Sequence, residues 1–282
     1  MTILTENFTL NNGIKIPKVG FGTWEIPNGA PAYNSTKWAL KAGYRHIDTA
    51  LVYENEKSIG EAIKDSGIAR SEIFLTTKQP AQNKSYDQAL KDFDQSIKNL
   101  GVDYVDLYLI HAPWPWDLAG QRFNQENLAV WQALSEIYQS GCAKAIGVSN
   151  FDVEDLQNLL ENSSVRPAVN QIMYYIGFTE PKISKFCQEN DILVEAYSPL
   201  ATGLMLNNPT VKEIAAKYQV TSAQLALRFV LEKGALPLPR STQEKHIIDN
   251  AKLDFELTST DLELLSELKD TAPKHYHNET QG

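Results

Sequence analysis

The feature that most constrains the fold is a regular alternation between short apolar runs and segments with helical periodicity. Strands separated by helices are typical of parallel βαβ units. Eight such units in 282 residues, with no linker-like stretch, predict a single α/β domain folded as a closed (β/α)8, or TIM, barrel. The predicted strands are 19–24, 46–49, 73–78, 105–111, 145–149, 168–173, 192–197 and 235–238. The predicted helices are 33–42, 55–65, 86–99, 127–139, 153–160, 182–189, 211–218, 222–233 and 262–269.

Two segments lie outside this alternation. Residues 8–17 predict a β-hairpin around an Asn-Asn-Gly turn, which could cover either end of the barrel. The chain ends in a short polar tail from about residue 270. Gly20 and Gly22 invite comparison with a dinucleotide-binding fingerprint, but Pro27 follows and no helix opens directly, so a Rossmann domain is not predicted.

Composition narrows the class of function. A formal net charge of −9 disfavours nucleic acid as a partner, because a phosphate backbone would be repelled. Cys142 and Cys187 are far apart and outside any CxxC, which favours a reducing compartment. With no signal-like segment and no apolar run of membrane-spanning length, we expect a cytoplasmic protein. We also expect a monomer that does not bind membranes.

Metal binding is not expected from this sequence. His275 and His277 lie in the polar tail, and no acidic or cysteine side chain stands near them at ligand spacing. Ser149 also lacks the surroundings of a nucleophile elbow, so a serine hydrolase is not predicted.

Chemically informative side chains fall at the carboxyl ends of the predicted strands, which meet at one mouth of such a barrel. Asp48, Lys78 and His111 each end a strand, and Tyr53 follows Asp48 by five residues. Asn55 is a candidate N-cap for the helix that comes next. The remaining strand ends supply Thr23, Trp24, Ser149, Asn150, Gln171, Tyr197, Ser198 and residues 239–242.

These residue types suggest acid–base chemistry. A buried ammonium at Lys78 needs a partner, which Asp48 can supply. A cation beside Tyr53 favours its phenolate and lowers its pKa, so the tyrosine could give a proton to a developing alkoxide. His111 could orient the substrate oxygen. The alternatives are a core ion pair for Asp48 and Lys78 and a neutral, hydrogen-bonded core histidine for His111.

The ordered motifs resemble those of the aldo-keto reductase family, from the hairpin to about Asn250. The matches are Gly-Tyr-Arg-His-Ile-Asp-Thr-Ala at 43–50 with Tyr53 following, Lys78, His111, Gly-Val-Ser-Asn at 147–150, Asn-Gln at 170–171, Ala-Tyr-Ser-Pro-Leu at 196–200, Pro-Arg-Ser at 239–241 and Asp-Asn at 249–250. The resemblance implies a (β/α)8 barrel that binds NADPH without a Rossmann domain.

The resemblance also implies roles. Tyr53 is the proton donor, Lys78 and Asp48 tune it, and His111 orients the carbonyl. The implied cofactor site is Thr23, Trp24, Ser149, Asn150, Gln171, Tyr197, Ser198, Leu200, Arg240, Ser241, Thr242, His246 and Asn250. In it the resemblance implies that residues 149, 150 and 171 hold the nicotinamide carboxamide, residues 240–242 meet the 2′-phosphate and Asn250 meets the adenine. His246 is a further candidate for the phosphate. The implied substrate site is Trp24, Tyr53, His111 and Trp114.

Four positions depart from the family pattern. Ala112-Pro113-Trp114 replaces a Trp-Pro after the histidine, and Met173-Tyr174-Tyr175 replaces a His-Pro after the glutamine. Arg240 stands where lysine is usual, and His246 stands where arginine is usual.

The expected function is NADPH-dependent reduction of small or aromatic aldehydes, ketones or α-dicarbonyls. One alternative is a barrel aldolase in which Lys78 forms a Schiff base, which borohydride trapping would detect. Another is a regulatory protein that binds NADPH and turns over poorly. Loss of NADPH absorbance with a panel of aldehydes separates the three.

Overall fold

The computed structural model describes residues 2–269 and 271–272. Eight parallel strands form one sheet in strictly sequential order, and helices connect them. The strands of this sheet are β3 (Phe21–Gly22), β4 (His46–Asp48), β5 (Phe74–Gln79), β6 (Leu107–Ile110), β7 (Ile146–Ser149), β8 (Val169–Met173), β9 (Leu193–Tyr197) and β10 (Leu236–Pro237). The (β/α)8 prediction is confirmed.

The helices surround the sheet and bury an apolar face against it. They are α1 (Ala30–Ala42), α2 (Glu56–Lys64), α3 (Tyr86–Leu100), α4 (Asn124–Gln139), α5 (Val153–Asn162), α6 (Pro181–Glu189), α7 (Pro209–Lys217), α8 (Ser222–Glu232), α9 (Glu244–Asn250) and α10 (Ser259–Glu267). A further 3-10 segment, Ala201–Asn207, follows β9 and was not predicted.

Backbone hydrogen bonds between the first and last strands close the barrel. The amide of Gly20 donates to the carbonyl of Pro237 at 3.1 Å, and the amide of Gly22 donates to the carbonyl of Pro239 at 3.0 Å. A Cβ atom at Gly20 would lie 2.5 Å from Leu238 Cδ2 and 2.6 Å from His46 Nδ1. The two glycines therefore serve the close approach of strands rather than a nucleotide.

The N-terminal hairpin covers the amino-terminal end of the barrel. Strands β1 (Asn7–Thr9) and β2 (Lys15–Pro17) pair antiparallel, as predicted. Leu10 and the fully buried Ile16 pack in one cluster with residues at the starts of barrel strands. The hairpin turn is anchored by Asn11 Nδ2, which donates to the carbonyl of Pro167 at 2.9 Å. Among residues 2–269 and 271–272 the hairpin covers this end only, and the carboxyl ends of the strands form the open end.

Asn55 does not act as the side-chain cap that the sequence predicts. It occupies the N-cap position of α2, but its side chain makes no capping hydrogen bond. Instead Asn55 Nδ2 donates to the carbonyls of Thr23 and Ile26, and Asn55 Oδ1 accepts from the hydroxyl of Thr49. The side chain thus joins the loops after β3 and β4, because their buried carbonyls also require donors.

Candidate active site

A buried ion pair lies at the carboxyl end of the barrel. Lys78 Nζ donates to Asp48 Oδ1 at 2.8 Å, to Asp48 Oδ2 at 2.9 Å and to the carbonyl of Thr49 at 2.8 Å. Lys78 is completely buried, and neighbouring strands β4 and β5 bring the two charges together. These three acceptors match the three hydrogens of the ammonium, and Tyr53 Oη is a fourth, more distant neighbour at 3.5 Å.

Tyr53 stands over this pair at the end of a 3-10 turn, Leu51–Tyr53. Its hydroxyl is 3.5 Å from Lys78 Nζ and 3.4 Å from His111 Nε2, and its side chain is half-buried. The ammonium also lies 5.0 Å from the centre of the tyrosine ring. The structure therefore brings together all four residues for which catalysis was predicted.

The pKa of Tyr53 shows two opposing influences. Burial raises it above the ordinary value, the charge of Lys78 lowers it, and the charge of Asp48 raises it again. The net direction is upward, so the prediction of a lowered pKa is right for the contribution of Lys78 and wrong for the sum of the three contributions. Tyr53 is consequently protonated near neutral pH, as a proton donor must be.

Lys78 remains charged despite its burial. Burial alone would lower its pKa, but Asp48, Tyr53 and Glu195 together raise it above the ordinary value. A Schiff base requires an unprotonated amine with access to the substrate. A fully buried ammonium held by a carboxylate does not meet that requirement, so the geometry disfavours the aldolase alternative.

His111 is a neutral imidazole. Burial lowers its pKa well below the ordinary value, and the nearby charges of Lys78 and Lys84 lower it further. Its Nε2 atom faces Tyr53, while its Nδ1 atom is buried and has no hydrogen-bond partner among the described residues. A neutral ring with the proton on Nε2 can donate a hydrogen bond to a substrate oxygen next to Tyr53.

The aromatic wall beside His111 differs from the prediction. Trp114 is only 3% exposed and packs against Trp116, with ring centres 5.1 Å apart. Trp116 makes the contact with His111, at 5.5 Å between ring centres. The structure therefore places Trp116 next to His111 and Trp114 next to Trp116. Sequence reasoning missed Trp116, although its proximity to the end of β6 was visible.

The residues after β3 divide into one buried and one exposed side chain. Thr23 is fully buried and its hydroxyl donates to the carbonyl of Asp48 at 2.9 Å, so this hydroxyl already serves the framework. Trp24 is 44% exposed at the same mouth. The exposed ring of Trp24 could contact a substrate or cofactor, whereas the buried Thr23 side chain is not available for such a contact.

The ends of β7 and β9 form a polar cluster. Ser149 Oγ donates to the carbonyl of Gln171, and Asn150 Nδ2 donates to Ser149 Oγ and to the carbonyl of His111. The hydroxyl of Tyr197 donates to Asn150 Oδ1 at 2.9 Å. Asn150 has a positive φ of 62°. Such backbone strain persists where surrounding contacts over-determine it, as functional sites often require.

Gln171 connects the ion pair to a carboxyl group that sequence reasoning missed. Gln171 Nε2 donates to Asp48 Oδ2 at 2.9 Å and to Glu195 Oε2 at 2.8 Å. Glu195 is fully buried in the middle of β9, and burial, together with the charge of Asp48, raises its pKa to about 8. A charged residue inside an otherwise apolar strand was the available signal.

The segment after β9 carries a series of positive φ angles at residues other than glycine. Ser198, Ala201 and Thr202 have φ values of 48°, 46° and 51°. Leu200 lies between them, half-buried, and precedes the 3-10 segment. Ser198 and Leu200 thus lie on a tightly constrained loop at the open end of the barrel.

The residues predicted for the phosphate end of the cofactor lie after β10. Arg240 Nη2 forms an ion pair with Glu25 Oε2 at 2.9 Å, and both side chains are partly exposed. Ser241 Oγ accepts a hydrogen bond from the amide of Gln243. Thr242 and His246 are exposed, and Asn250 is nearly buried at the end of α9.

Two further properties concern the described residues as a group. Within residues 2–269 and 271–272, no three histidine, cysteine, aspartate or glutamate side chains are grouped so as to hold a metal ion. His275 and His277 lie outside the described residues. Over the same part of the chain, no helix combines the length and apolar character needed to cross a bilayer.

Comparison with known proteins adds the following. The model of the Aldo/keto reductase family matches residues 18–270. A glyoxal reductase of Bacillus subtilis (strain 168) is 39% identical over 268 residues, covering 95% of this chain and 94% of the relative. An aldo/keto reductase from Brucella melitensis superposes with a TM-score of 0.88 at 42% identity, covering 94% of this chain and 99% of the other. A Bombyx mori aldo-keto reductase solved in complex with NADP superposes with a TM-score of 0.86 at 33% identity, covering 94% and 93%.

The barrel fold and these reductase relatives together identify an oxidoreductase. The chain belongs to the aldo/keto reductase family. The resemblance inferred from the ordered motifs is thereby confirmed.

Proposed function

We propose that the protein reduces the carbonyl group of small aldehydes and α-dicarbonyls with NADPH, and that Tyr53 supplies the proton. One observation carries this proposal. The hydroxyl of Tyr53 lies within 3.5 Å of both Lys78 Nζ and His111 Nε2 at the open end of the barrel. A substrate oxygen near that hydroxyl can therefore meet a proton donor and a second hydrogen-bond donor together.

Each of the four residues has a part in the proton transfer. Tyr53 Oη gives its proton to the substrate oxygen as negative charge develops there. His111 holds the same oxygen through Nε2–H and stays neutral. Lys78 stabilises the tyrosinate that results, because a fixed cation 3.5 Å away favours the anionic form. Asp48 keeps the buried ammonium in place by accepting two of its hydrogen bonds.

The polar cluster and the exposed arginine fit a nicotinamide dinucleotide phosphate. Gln171, Ser149 and Asn150 offer amide and hydroxyl groups for a carboxamide, Tyr197 offers a half-buried ring, and Arg240 offers a planar guanidinium for a phosphate. When bound, NADPH supplies the hydride that reduces the carbonyl carbon. The NADP complex of the Bombyx mori relative and the name of a yeast relative, "Glycerol 2-dehydrogenase (NADP(+))", support this choice of cofactor.

The aromatic side chains near the site support a choice of substrate class. Trp116 contacts His111 and Trp24 is exposed at the same end of the barrel, so apolar rings are available to a small or flat carbonyl compound. The relative from Bacillus subtilis is named for the reduction of glyoxal, the smallest α-dicarbonyl. We therefore expect glyoxal, methylglyoxal and small aromatic aldehydes to be turned over.

Tyr53→Phe tests the proposal. We expect turnover of these carbonyls, followed by NADPH absorbance, to fall about 100-fold or more while NADPH binding persists, because only the proton donor is removed. Tyr108→Phe is the matched control, since its buried hydroxyl has no partner among the described residues and lies away from the mouth. A Tyr53→Phe enzyme with more than a tenth of the wild-type turnover would refute the role of Tyr53.

Absence of turnover in the wild-type protein with every carbonyl tested, combined with tight NADPH binding, would support the regulatory alternative instead. Borohydride trapping in the presence of substrate completes the comparison, because an adduct on Lys78 would favour an aldolase.

A further inference from the structure

Glu195 is a buried carboxyl group directly beneath the proposed catalytic residues. It lies in β9, opposite Gln171 of β8 and Leu236 of β10, and it is inaccessible to solvent. Its Oε2 atom accepts from Gln171, and its Oε1 atom has no hydrogen-bond partner among the described residues. Burying a carboxyl group costs free energy of folding, so its presence in an apolar strand suggests that it has a function.

The Gln171 amide is held by two carboxyl groups from opposite sides. Both hydrogens of Nε2 are used, one by Asp48 Oδ2 at 2.9 Å and one by Glu195 Oε2 at 2.8 Å. The reversed amide would place its oxygen against Asp48 Oδ2, an acceptor that also binds the Lys78 ammonium, which is repulsive. Two bonds to one NH2 group also fix the plane of the amide, whereas a single bond would leave it free to rotate.

The orientation of the amide decides what Gln171 presents to the open end of the barrel. No described residue donates a hydrogen bond to Gln171 Oε1, and this oxygen is not one of the buried unpaired atoms. The small exposed fraction of Gln171, 2%, therefore includes an acceptor with a defined direction. A ligand group that meets it must carry a hydrogen-bond donor.

We propose that Glu195 is a positioning residue: together with Asp48 it locks the Gln171 amide so that Oε1 accepts a hydrogen bond from the NH2 group of the nicotinamide carboxamide. The inference rests on the proposed function, because it requires the nicotinamide at this end of the barrel. Under this proposal Glu195 makes the site select the carboxamide of the cofactor. A buried polar residue with a purely structural role would not do so.

Protonation does not interfere with this role. Burial and the charge of Asp48 raise the pKa of Glu195 to about 8, and Lys78 and the bond from Gln171 act in the opposite direction. With a proton on Oε1, the atom that lacks a partner, Oε2 still accepts from Gln171. Asp48, Lys78 and Gln171 are the polar groups that face Glu195 from β4, β5 and β8.

The test compares binding of NADP+ with binding of 3-acetylpyridine adenine dinucleotide phosphate, in which a methyl group replaces the carboxamide NH2. Binding is measured by quenching of tryptophan fluorescence, with calorimetry as a check. For the wild-type protein we expect NADP+ to bind about tenfold more tightly, which corresponds to one hydrogen bond. Glu195→Leu removes the acceptor at similar volume and should reduce this ratio below about threefold.

Two variants separate positioning from structure. Glu195→Gln can turn its amide oxygen to Gln171, so it should retain most of the discrimination. Glu56→Gln removes a different buried carboxyl group, one that accepts from Thr77 and Asn99 away from the site, and should change thermal stability without changing the ratio. If Glu195→Leu does not fold, Glu195→Ala removes the same acceptor without adding volume.

The results of these measurements either support or overturn the proposal. A ratio that falls in Glu195→Leu and is retained in the two glutamine variants supports the proposal. A wild-type ratio near one, or an unchanged ratio in Glu195→Leu, overturns it while leaving the proposed reductase function intact. A wild-type protein that binds neither dinucleotide overturns both.

Discussion

At the residue scale, the site depends on the state of a few buried charges. Asp48, Lys78 and Glu195 share a dry interior in which an unpaired charge is costly. The carboxyl group of Asp48 meets Lys78 directly, whereas the pKa of Glu195 is raised to about 8 mainly by burial. With Glu195 protonated, one positive and one negative charge remain under Tyr53, and they shift its pKa in opposite directions.

Lys78→Met should move the pH dependence of alcohol oxidation upward. Oxidation needs the tyrosinate, and without the ammonium both burial and Asp48 raise the pKa of Tyr53 without opposition. The measurement is the turnover of a small alcohol with NADP+ from about pH 6 to 10, at pH values where the protein stays folded. Thermal unfolding is followed in parallel, because Asp48 loses its buried partner.

Lys144→Met is the control for that experiment, since Lys144 pairs with Asp106 away from Tyr53. A Lys78→Met enzyme that keeps the wild-type rise in oxidation rate with pH would show that Lys78 serves structure alone.

Glu195→Gln should change how stability varies with pH. The folded-state pKa of about 8 exceeds the ordinary value of 4.5, so between these values the folded protein binds a proton that the unfolded chain has lost. Stability therefore falls as pH rises through this window in the wild type. The glutamine variant lacks this loss, and its melting temperature relative to wild type should rise from pH 5 to pH 8 by about 5 °C or more.

Thermal unfolding of both proteins at closely spaced pH values checks this. A constant difference in melting temperature across the window would mean that Glu195 titrates in the folded protein as it does in the unfolded chain.

At the element scale, the loops after β3 and β10 meet in the Glu25–Arg240 ion pair. These two strands also close the barrel, so the pair crosses the seam at its open end. Both side chains are partly exposed, and such a pair contributes about 0–1 kcal/mol to stability. The ion pair matters because Glu25 binds the guanidinium of Arg240, the residue proposed to bind the 2′-phosphate.

Glu25→Gln should strengthen the preference for NADPH over NADH. The guanidinium of Arg240 is then no longer shared with a carboxylate, and the affinity ratio should rise about threefold, on the scale of one exposed ion pair. Arg240→Ala should lose the preference, and Glu25→Gln should have no effect in that background. Fluorescence titrations of both cofactors measure this. An unchanged ratio in Glu25→Gln would mean that Arg240 and the phosphate do not meet.

His246 belongs to the same region but stands exposed on α9, where its charge acts on Asp249. Its predicted role toward the phosphate stays a prediction. The same titrations, run from about pH 5.5 to 8.5, would reveal a decline in NADPH affinity alone if His246 takes part.

At the scale of the whole molecule, one end of the barrel is covered and the other is open. The hairpin buries Leu10 and Ile16 against the amino-terminal ends of the strands. The seam between β3 and β10 holds the cylinder closed through glycine amides. At the carboxyl end, the strands deliver Asp48, Lys78 and His111 side by side.

Gly20→Ala should destabilise the protein by about 1–3 kcal/mol, because the added Cβ would overpack the seam. It would meet Leu238 Cδ2 and the ring of His46, both buried. Leu238→Ala opens space on one side, so the cost of Gly20→Ala should be smaller in that background by about 0.5 kcal/mol or more. Denaturant unfolding of the four proteins gives the coupling. Strict additivity would contradict the packing argument.

The sequence alone determined the order of elements and the chemistry available at their ends. Alternating strand and helix patterns define parallel units whose carboxyl ends share one edge, so Asp48, Lys78 and His111 could be grouped before any coordinates were known. Tyr53 was grouped with them because it follows Asp48 by five residues, and the ordered motifs added the family. These inferences succeed because they depend on local periodicity and on strand adjacency, which a chain of βα units carries along its length.

Tertiary structure decided what depends on distances between segments far apart in sequence. Asn55 binds the loops after β3 and β4 rather than capping its own helix, and Trp116 rather than Trp114 meets His111. The link from Asp48 through Gln171 to Glu195 joins three strands across the barrel interior. The net pKa of Tyr53 likewise sums burial with two charges, and burial exists only once the whole barrel has closed.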